Sequence, residues 1–207
     1  MRDRDDQHRS GTGFNRRDFL KGSGAAMAAT AVATSASSSE AQEAASSKVA
    51  PASAGPVTLN VNGRNYTLKI EPRVTLLDAL RNDLNLTGCK DVDDTTASGA
   101  DTVIIDGKPV LASSRLAIEC QGQKIRTVES LRQGGVDEVI RGFVKHDAMQ
   151  CGFCTPGFVM ATRAFLDKNP QANLEEIRKG LGGNICRCGT YDGITKCALE
   201  LAQKGDA

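Results

Sequence analysis

Four of the seven cysteines stand in two tight pairs in the last third of the chain, and this spacing constrains the fold most. Two residues separate Cys151 from Cys154, one residue separates Cys186 from Cys188, and 31 residues lie between the pairs. Cysteines this close together can hold one metal centre. Four thiolates bind either Zn²⁺ or an iron–sulfur cluster, and the spacing alone does not decide between them. An odd number of cysteines argues against a simple disulfide framework.

The composition excludes several other classes of protein. The 207 residues have a net charge of +1, so no basic surface for nucleic acid or an anionic membrane is predicted. A hydrophobic content of 40% is enough for a globular core. The longest weakly apolar run, residues 25–33, is far shorter than the roughly 20 residues of a membrane-spanning helix.

The first 55 residues predict an export signal followed by an unfolded linker. Residues 15–21 are Asn-Arg-Arg-Asp-Phe-Leu-Lys, and an Ala- and Ser-rich, weakly apolar stretch follows them. This order resembles a twin-arginine signal, which predicts a periplasmic protein; the alternative is a disordered basic tail. The twin-arginine pathway handles proteins that have already folded, often around a cofactor.

Residues 56–132 predict a β-grasp domain of the plant ferredoxin type. Segments 57–61 and 66–70 alternate apolar and polar residues around Asn62-Gly63, a dipeptide that suits the positive φ angles of a tight hairpin. A helix is expected after Thr75, its predicted N-cap, because apolar residues recur at helical spacing up to position 84. Strands are predicted at 102–105, 110–111 and 125–128.

Residues 133–207 predict a small bundle of four helices, so the fold class is α+β. The first helix is expected over 136–145. The second should start at Thr155-Pro156, with Thr155 as its cap, and run to residue 169. Asn173 opens a capping box for the third, and the inner face of the fourth is defined by four apolar positions: Ile194, Cys197, Ala198 and Leu201.

The wider context of the cysteines resembles the small iron–sulfur subunit of molybdenum hydroxylases, a family that includes xanthine dehydrogenase, carbon monoxide dehydrogenase and aldehyde oxidoreductase. Its two signature segments are matched by residues 149–157, Met-Gln-Cys-Gly-Phe-Cys-Thr-Pro-Gly, and 183–188, Gly-Asn-Ile-Cys-Arg-Cys. The gap between the pairs and residues 76–81 are also similar to the family, so the resemblance spans 57–203. With its export signal, the chain is most similar to the small subunits of periplasmic aldehyde oxidoreductases.

The resemblance implies that the four paired cysteines ligate one [2Fe–2S] cluster in the helical domain. In the family this cluster lies nearest the molybdenum cofactor of a large subunit. The glutamine before the first cysteine contacts the pterin there, and Gln150 holds that position here. The ligands implied are Cys151, Cys154, Cys186 and Cys188. The family's Cys-Thr-Gly-Tyr is Cys188-Gly189-Thr190-Tyr191 in this chain, a swap outside the ligands.

The β-grasp domain departs from the family at the ligands of a second [2Fe–2S] cluster. The loop keeps its length and flanks, but Asp93, Ser98, Asp101 and Ser113 stand where the family has cysteines. Carboxylates and hydroxyls suit hard cations rather than iron–sulfur clusters, so we expect this domain to be cluster-free. A solvated acidic loop is favoured over a Ca²⁺ site formed by Asp91, Asp93, Asp94 and Asp101, because no glycine-punctuated Ca²⁺ loop is present.

The other three cysteines and His146 have simpler interpretations. Cys197 is expected to be a buried thiol on the last helix. Cys89 and Cys120 could form a disulfide in an oxidising compartment, although two separate thiols are favoured. His146 should make a local contact at a helix end rather than bind a partner or cofactor.

The predicted function is electron transfer within a periplasmic molybdenum hydroxylase that oxidises an aldehyde or an N-heterocycle. The large subunit would bind the molybdenum cofactor and the substrate. Because the family sends electrons through the β-grasp cluster towards flavin, an empty domain predicts another acceptor near the helical domain, such as a cytochrome domain. The partners considered beside the large subunit are a cytochrome and an FAD subunit. Two alternatives stay open: a zinc-stapled binding module, and a decayed subunit retained for docking without a redox role.

Overall fold

A five-stranded mixed sheet forms the first half of the part of the chain that the computed structural model describes, residues 52–92 and 97–204. Its strands are β1 (Gly55–Val61), β2 (Arg64–Ile70), β3 (Thr102–Ile105), β4 (Lys108–Leu111) and β5 (Lys124–Arg126). The strand order is β2-β1-β5-β3-β4, in which β1 and β5 are parallel and every other neighbouring pair is antiparallel. This is the predicted β-grasp arrangement.

Two tight turns set the register of the hairpins. Asn62 (φ 52°) and Gly63 (φ 79°) join β1 to β2, and Asp106 (φ 48°) and Gly107 (φ 76°) join β3 to β4. Positive φ at both central positions is typical of the type I′ turn, whose twist matches that of the strands. The turn predicted at Asn62-Gly63 is therefore confirmed.

The first helix is shorter and less regular than the sequence predicts. Helix α1 (Leu76–Asp78) continues directly into a turn of π-helix, Ala79–Asp83. Its predicted cap is confirmed, because Thr75 Oγ1 accepts a hydrogen bond of 3.1 Å from the Asp78 N–H. The apolar side chains of this segment pack under the sheet, where burial of each large one contributes about 2 kcal/mol.

Up to residue 204, where the described part ends, four helices follow the sheet, the predicted number: α2 (Glu138–Lys145), α3 (Thr155–Leu166), α4 (Leu174–Gly180) and α5 (Tyr191–Lys204). Helix α2 begins at Glu138 and not at the predicted residue 136. The cap of α2 is Asp137, and the capping box at Asn173 is present with both of its hydrogen bonds. The predicted start of α3 is wrong by one residue: Cys154 is the N-cap and Thr155 is the first helical residue. The helix also ends at Leu166 rather than residue 169, because Asp167 is already its C-cap.

Strand β3 joins the two halves of the core. Its four residues are all buried, and they alternate between two hydrophobic clusters. Val103 and Ile105 pack with the sheet core, whereas Ile104 packs with the helices. Because successive side chains of a strand point to opposite faces, β3 contributes buried side chains to both hydrophobic clusters. The boundary at 132/133 stays a prediction, since the described residues beyond position 51 form one compact unit.

Two parts of the sequence-based account lie outside the described residues: the export signal and linker up to residue 51, and Asp93 and Asp94 of the acidic loop. In the portion of the chain that is described, no helix has the length and apolar character needed to cross a bilayer.

Candidate iron–sulfur centre

The first cysteine pair lies on the short loop that leads into α3. Gly152 has φ +86°, a conformation that only glycine adopts without strain, and it turns the chain between the two cysteines. Cys151 is exposed and Cys154 is half-buried. Gln150, just before the pair, is exposed as well, so its side chain is available to a partner.

The second pair lies on the loop between α4 and α5. Cys186 is 7% exposed, and its backbone N–H donates a 2.8 Å hydrogen bond to the Tyr191 hydroxyl. Thr190 Oγ1 lies 3.1 Å from Cys186 Sγ. Tyr191 in turn packs edge-on against Phe158 of α3, with ring centroids 5.9 Å apart. The start of α5 therefore ties this loop to the helix that follows the first pair.

The fold brings the four predicted ligands together as two cross-pairs, one cysteine from each loop. Cys151 and Cys188 hydrogen-bond to each other, as do Cys154 and Cys186. In each pair one thiol has a lowered pKa and the other a raised one. In each pair one thiol therefore ionises more readily than the other.

The two cysteines of the pair Cys154–Cys186 differ in pKa. Burial opposes ionisation of Cys186, but hydrogen bonds with Thr190, Cys154 and Cys188 together outweigh it and lower the pKa to about 7. Burial, followed by the neighbouring Cys186, raises the pKa of Cys154 to about 12. The position of Cys154 at the start of α3, where the helix dipole favours an anion, does not lower its pKa, because burial has the larger effect.

The arrangement of the sulfurs bears on the choice between zinc and a cluster. No three Cys, His, Asp or Glu side chains among the described residues converge on a point that one metal ion could occupy. A zinc ion needs four ligands about 2.0–2.3 Å from a single point, whereas a [2Fe–2S] cluster takes its four thiolates as two pairs. Soft thiolate donors in two cross-pairs fit the cluster better.

The substituted loop of the β-grasp domain brings two of its four predicted positions together without any thiol. Asp101 is 3% exposed, and its Oδ2 accepts hydrogen bonds from both the Ser113 N–H, at 2.7 Å, and the Ser113 hydroxyl. The Cys89 thiol donates to the Asp101 carbonyl at 3.1 Å. The expectation of a solvated acidic loop is wrong for Asp101, because this carboxylate is buried and hydrogen-bonded within the protein.

The remaining predictions for single residues are settled by their contacts. Cys89 and Cys120 are both free, buried thiols, so the disulfide alternative is wrong in this structure. Cys197 is fully buried, as predicted, and burial raises its pKa to about 12. His146 Nε2 lies 2.6 Å from Glu200 Oε2, which confirms a local contact.

Comparison with known proteins agrees with this geometry. Residues 127–199 match the family of [2Fe–2S] binding domains, and residues 13–33 match the signal sequence of the twin-arginine translocation pathway. The nicotine 6-hydroxylase small subunit of Paenarthrobacter nicotinovorans is 40% identical over 72% of this chain and 91% of its own length. The aldehyde oxidoreductase iron–sulfur-binding subunit PaoA of Escherichia coli (strain K12) is 38% identical over 91% and 88%.

The chain belongs to the small iron–sulfur subunits of the molybdenum hydroxylase family. The predicted family, the α+β fold, the [2Fe–2S] cofactor and the periplasmic export signal are thereby confirmed for this subunit.

Two solved structures place the subunit in the context of whole enzymes. A chain of quinoline 2-oxidoreductase from Pseudomonas putida 86 superposes with a TM-score of 0.67 at 36% identity, covering 74% of the subunit and 99% of that chain. Aldehyde oxidoreductase from Desulfovibrio desulfuricans superposes with a TM-score of 0.69 at 33% identity and covers 73% of the subunit. The match spans 17% of that longer chain, so the same fold also occurs inside a larger polypeptide.

Sequence reasoning missed three residues that hold the site in place. Thr190 and Tyr191 hold Cys186, and Asn184 fixes the loop before it. The exchange of Gly189 and Thr190 relative to the family is the one feature of the sequence that points to Thr190, because it places a hydroxyl where it reaches Cys186. Nothing in the spacing of the cysteines indicates Asn184.

Proposed function

We propose that this subunit transfers electrons within a periplasmic molybdenum hydroxylase through a single [2Fe–2S] cluster, held by Cys151, Cys154, Cys186 and Cys188. The observation that carries the proposal is the two cross-pairs of cysteines, each joining the loop before α3 to the loop before α5. When bound, such a cluster supplies one-electron redox chemistry. The large subunit would oxidise an aldehyde or an N-heterocycle, the substrate classes in the names of its relatives.

The residues around the cysteines suit contact with a partner that holds the molybdenum cofactor. Phe153 is 58% exposed and Ile185 is 55% exposed, one on each cysteine loop, and Gln150 is exposed beside them. Large apolar side chains this accessible are typical of surfaces that a partner covers. We assign Gln150 the role of contacting the partner's cofactor.

Thr190 and Tyr191 would prepare the site for the cluster. Metal binding requires deprotonated cysteines and releases their protons. The hydrogen bonds of Thr190 help to lower the pKa of Cys186 to about 7, so this buried thiol ionises near neutral pH. Folding of the site before export would also keep the exposed Cys151 from oxidising in the periplasm.

The acceptor is expected to approach the helical domain directly. Cys89 lies just before the loop that carries Asp93, Ser98 and Asp101, which itself contains no cysteine. Burial raises the pKa of the Cys89 thiol well above the ordinary range, so Cys89 is a poor ligand. We therefore propose an acceptor beside the cysteine loops, such as a cytochrome domain, rather than an FAD subunit reached through the β-grasp domain. Rapid reduction of a flavin subunit, at the rate of two-cluster relatives, would contradict this.

The test uses the purified complex of this subunit with its large subunit. Anaerobic addition of substrate should produce the electron paramagnetic resonance signal of a reduced [2Fe–2S] cluster within one turnover. The same complex carrying Cys186→Ala should give no such signal, whereas Cys197→Ala, which alters a core thiol, should keep it. Substrate consumption by the unaltered complex without any cluster signal would favour the redox-inactive docking subunit. A colourless chain containing zinc would favour the zinc module.

A further inference from the structure

The segment of residues 98–102, where the β-grasp domain has lost its cysteines, lies directly against both cysteine loops of the helical domain. Gly99 has φ +74°, and Ala100, Asp101 and Thr102 are buried. We call residues 98–102 the platform segment. Its contacts to the two loops are independent of each other and involve different residues.

The loop before Cys186 is fixed to the platform segment by three hydrogen bonds. The Asn184 side chain, 8% exposed, donates from Nδ2 to the Gly99 carbonyl at 2.8 Å and to the Thr102 hydroxyl at 3.2 Å. The Ile185 N–H donates to the Ser98 carbonyl at 2.9 Å. These bonds are made by the two residues that immediately precede Cys186.

The start of α3 rests on the same segment. Gly157 is three residues after Cys154, and a Cβ at this position would collide with the Gly99 carbonyl oxygen and lie 2.9 Å from Ala100 Cα. Only glycine therefore allows the first turn of α3 to approach this closely. Both cysteine loops are thus held against one short stretch of backbone.

The platform segment is itself anchored in the β-grasp domain. Asp101 Oδ2 accepts two hydrogen bonds from Ser113, and the Thr102 hydroxyl donates to the Gly99 carbonyl at 2.7 Å. Asp101 and Ser113 stand at two of the positions where the family has cysteines, so hydrogen bonds between protein groups close the loop here.

We infer that the platform segment positions the two cysteine loops relative to each other, with Asn184 and Thr102 as its positioning residues. The β-grasp domain is then retained because it sets the spacing of the remaining iron site. This inference rests on the proposed function, since it assumes that the four cysteines hold the cluster.

The test compares Asn184→Ala and Thr102→Val in the native complex with Thr162→Val. Thr162 is a matched control, because it is fully buried in α3 and its hydroxyl has no hydrogen-bond partner among the described residues. Each lost hydrogen bond should speed chelator-driven loss of the cluster by roughly threefold to tenfold, so Asn184→Ala, which removes two, should lose it roughly tenfold to hundredfold faster. Thr162→Val should stay within about twofold of the unaltered protein.

A spectroscopic readout separates positioning from simple destabilisation. The g values of the reduced cluster should shift in Asn184→Ala and Thr102→Val and stay unchanged in Thr162→Val. Thr102→Ser restores the hydroxyl and should restore both the spectrum and the rate of cluster loss. If Asn184→Ala does not fold, Thr102→Val alone tests the role of the platform segment, because it removes a hydroxyl with little change of side-chain shape.

Different results would overturn the role of the platform segment and the proposed function. If Thr102→Val matches Thr162→Val in both spectrum and rate, the inference about the platform segment is overturned while the proposed function stands. If the unaltered protein contains no [2Fe–2S] cluster, the proposed function itself fails.

Discussion

The loop around Asp101 and the loop around Cys186 show two ways of closing a cluster site. At Asp101 the closing contacts are made by the protein alone, through a buried carboxylate that accepts two hydrogen bonds from Ser113. At Cys186 the thiols of two loops pair with each other, Cys154 with Cys186 and Cys151 with Cys188, and thiolates are the ligands that iron–sulfur clusters take. In the first loop Asp101 Oδ2 is held by Ser113, while the buried Asp101 Oδ1 has no hydrogen-bond partner among the described residues. The second loop carries two of the four predicted cluster ligands, Cys186 and Cys188.

The largest expected effect follows from removing a ligand of the second loop. Cys186→Ala should abolish the cluster, so that iron falls from about two per chain to near zero, because three thiolates cannot complete a tetrathiolate site. Iron analysis and the visible absorption spectrum measure this. Cys89→Ala, which removes the buried thiol beside the first loop, should keep the full amount of iron. Equal loss of iron in both variants would contradict the proposed difference between the loop around Asp101 and the loop around Cys186.

Removal of the cluster from the intact protein should raise hydrogen exchange in the cysteine loops of the helical domain and leave exchange in the sheet unchanged. Binding free energy at a metal site is also folding free energy, so the helical cysteine loops should lose protection once the iron is gone. Hydrogen exchange is expected to rise over residues 184–190 and at the start of α3. Amides of β1 and β2, which pair over seven residues, should exchange as slowly as before. Increased exchange throughout the sheet would show that the cluster stabilises both regions.

Substitution of the buried carboxylate tests the first loop directly. Asp101→Asn weakens two hydrogen bonds to a charged acceptor, so the free energy of unfolding should fall by about 2 kcal/mol. Denaturant titration measures the change. Iron per chain should remain unchanged, since Asp101 is no ligand in this account. A stoichiometric loss of iron in Asp101→Asn would instead make this residue part of a cluster site.

The smallest expected effect is on how the alkylation rate of the cysteines depends on pH. In the cluster-free protein, hydrogen bonds from the Phe153 backbone and the Cys188 side chain lower the pKa of the exposed Cys151, whereas burial raises that of Cys89. Because the thiolate is the nucleophile, a lowered pKa keeps Cys151 reactive at pH values where an ordinary thiol is protonated. Its alkylation rate should therefore level off at a lower pH than that of an ordinary cysteine.

Mass spectrometry after iodoacetamide treatment at pH 7 gives the comparison. Cys151 should be modified, and Cys89 should be modified only after denaturant is added. Modification of Cys89 in the folded protein would mean that the first loop opens more readily than its hydrogen bonds indicate.

Local signals in the sequence predicted most of the fold. Asn62-Gly63, Thr75 and Asn173 each fix a turn or a helix start through their own backbone or side chain, and all three are observed as predicted. The start of α3 was misplaced by one residue, because Thr155 and Cys154 are both compatible with a cap before proline. The π-helical turn at Ala79–Asp83 has no local signal in the sequence.

The candidate site was predictable as a set of residues but not as a geometry. The cysteine spacing and family resemblance indicated the ligand set, yet which thiol pairs with which depends on contacts between distant loops. The burial of Asp101 depends on Ser113, 12 residues away, and the role of Asn184 depends on Gly99, 85 residues away. Such contacts follow from tertiary packing, so spacing along the chain could not reveal them.

The measurement that tests the central claim most directly is the content of iron and acid-labile sulfide in the purified complex of this subunit with its large subunit alone. A single [2Fe–2S] cluster on the four paired cysteines predicts two of each per copy of this subunit. Four of each would contradict the account, because the loop around Asp101 would then have to hold a second cluster without cysteines.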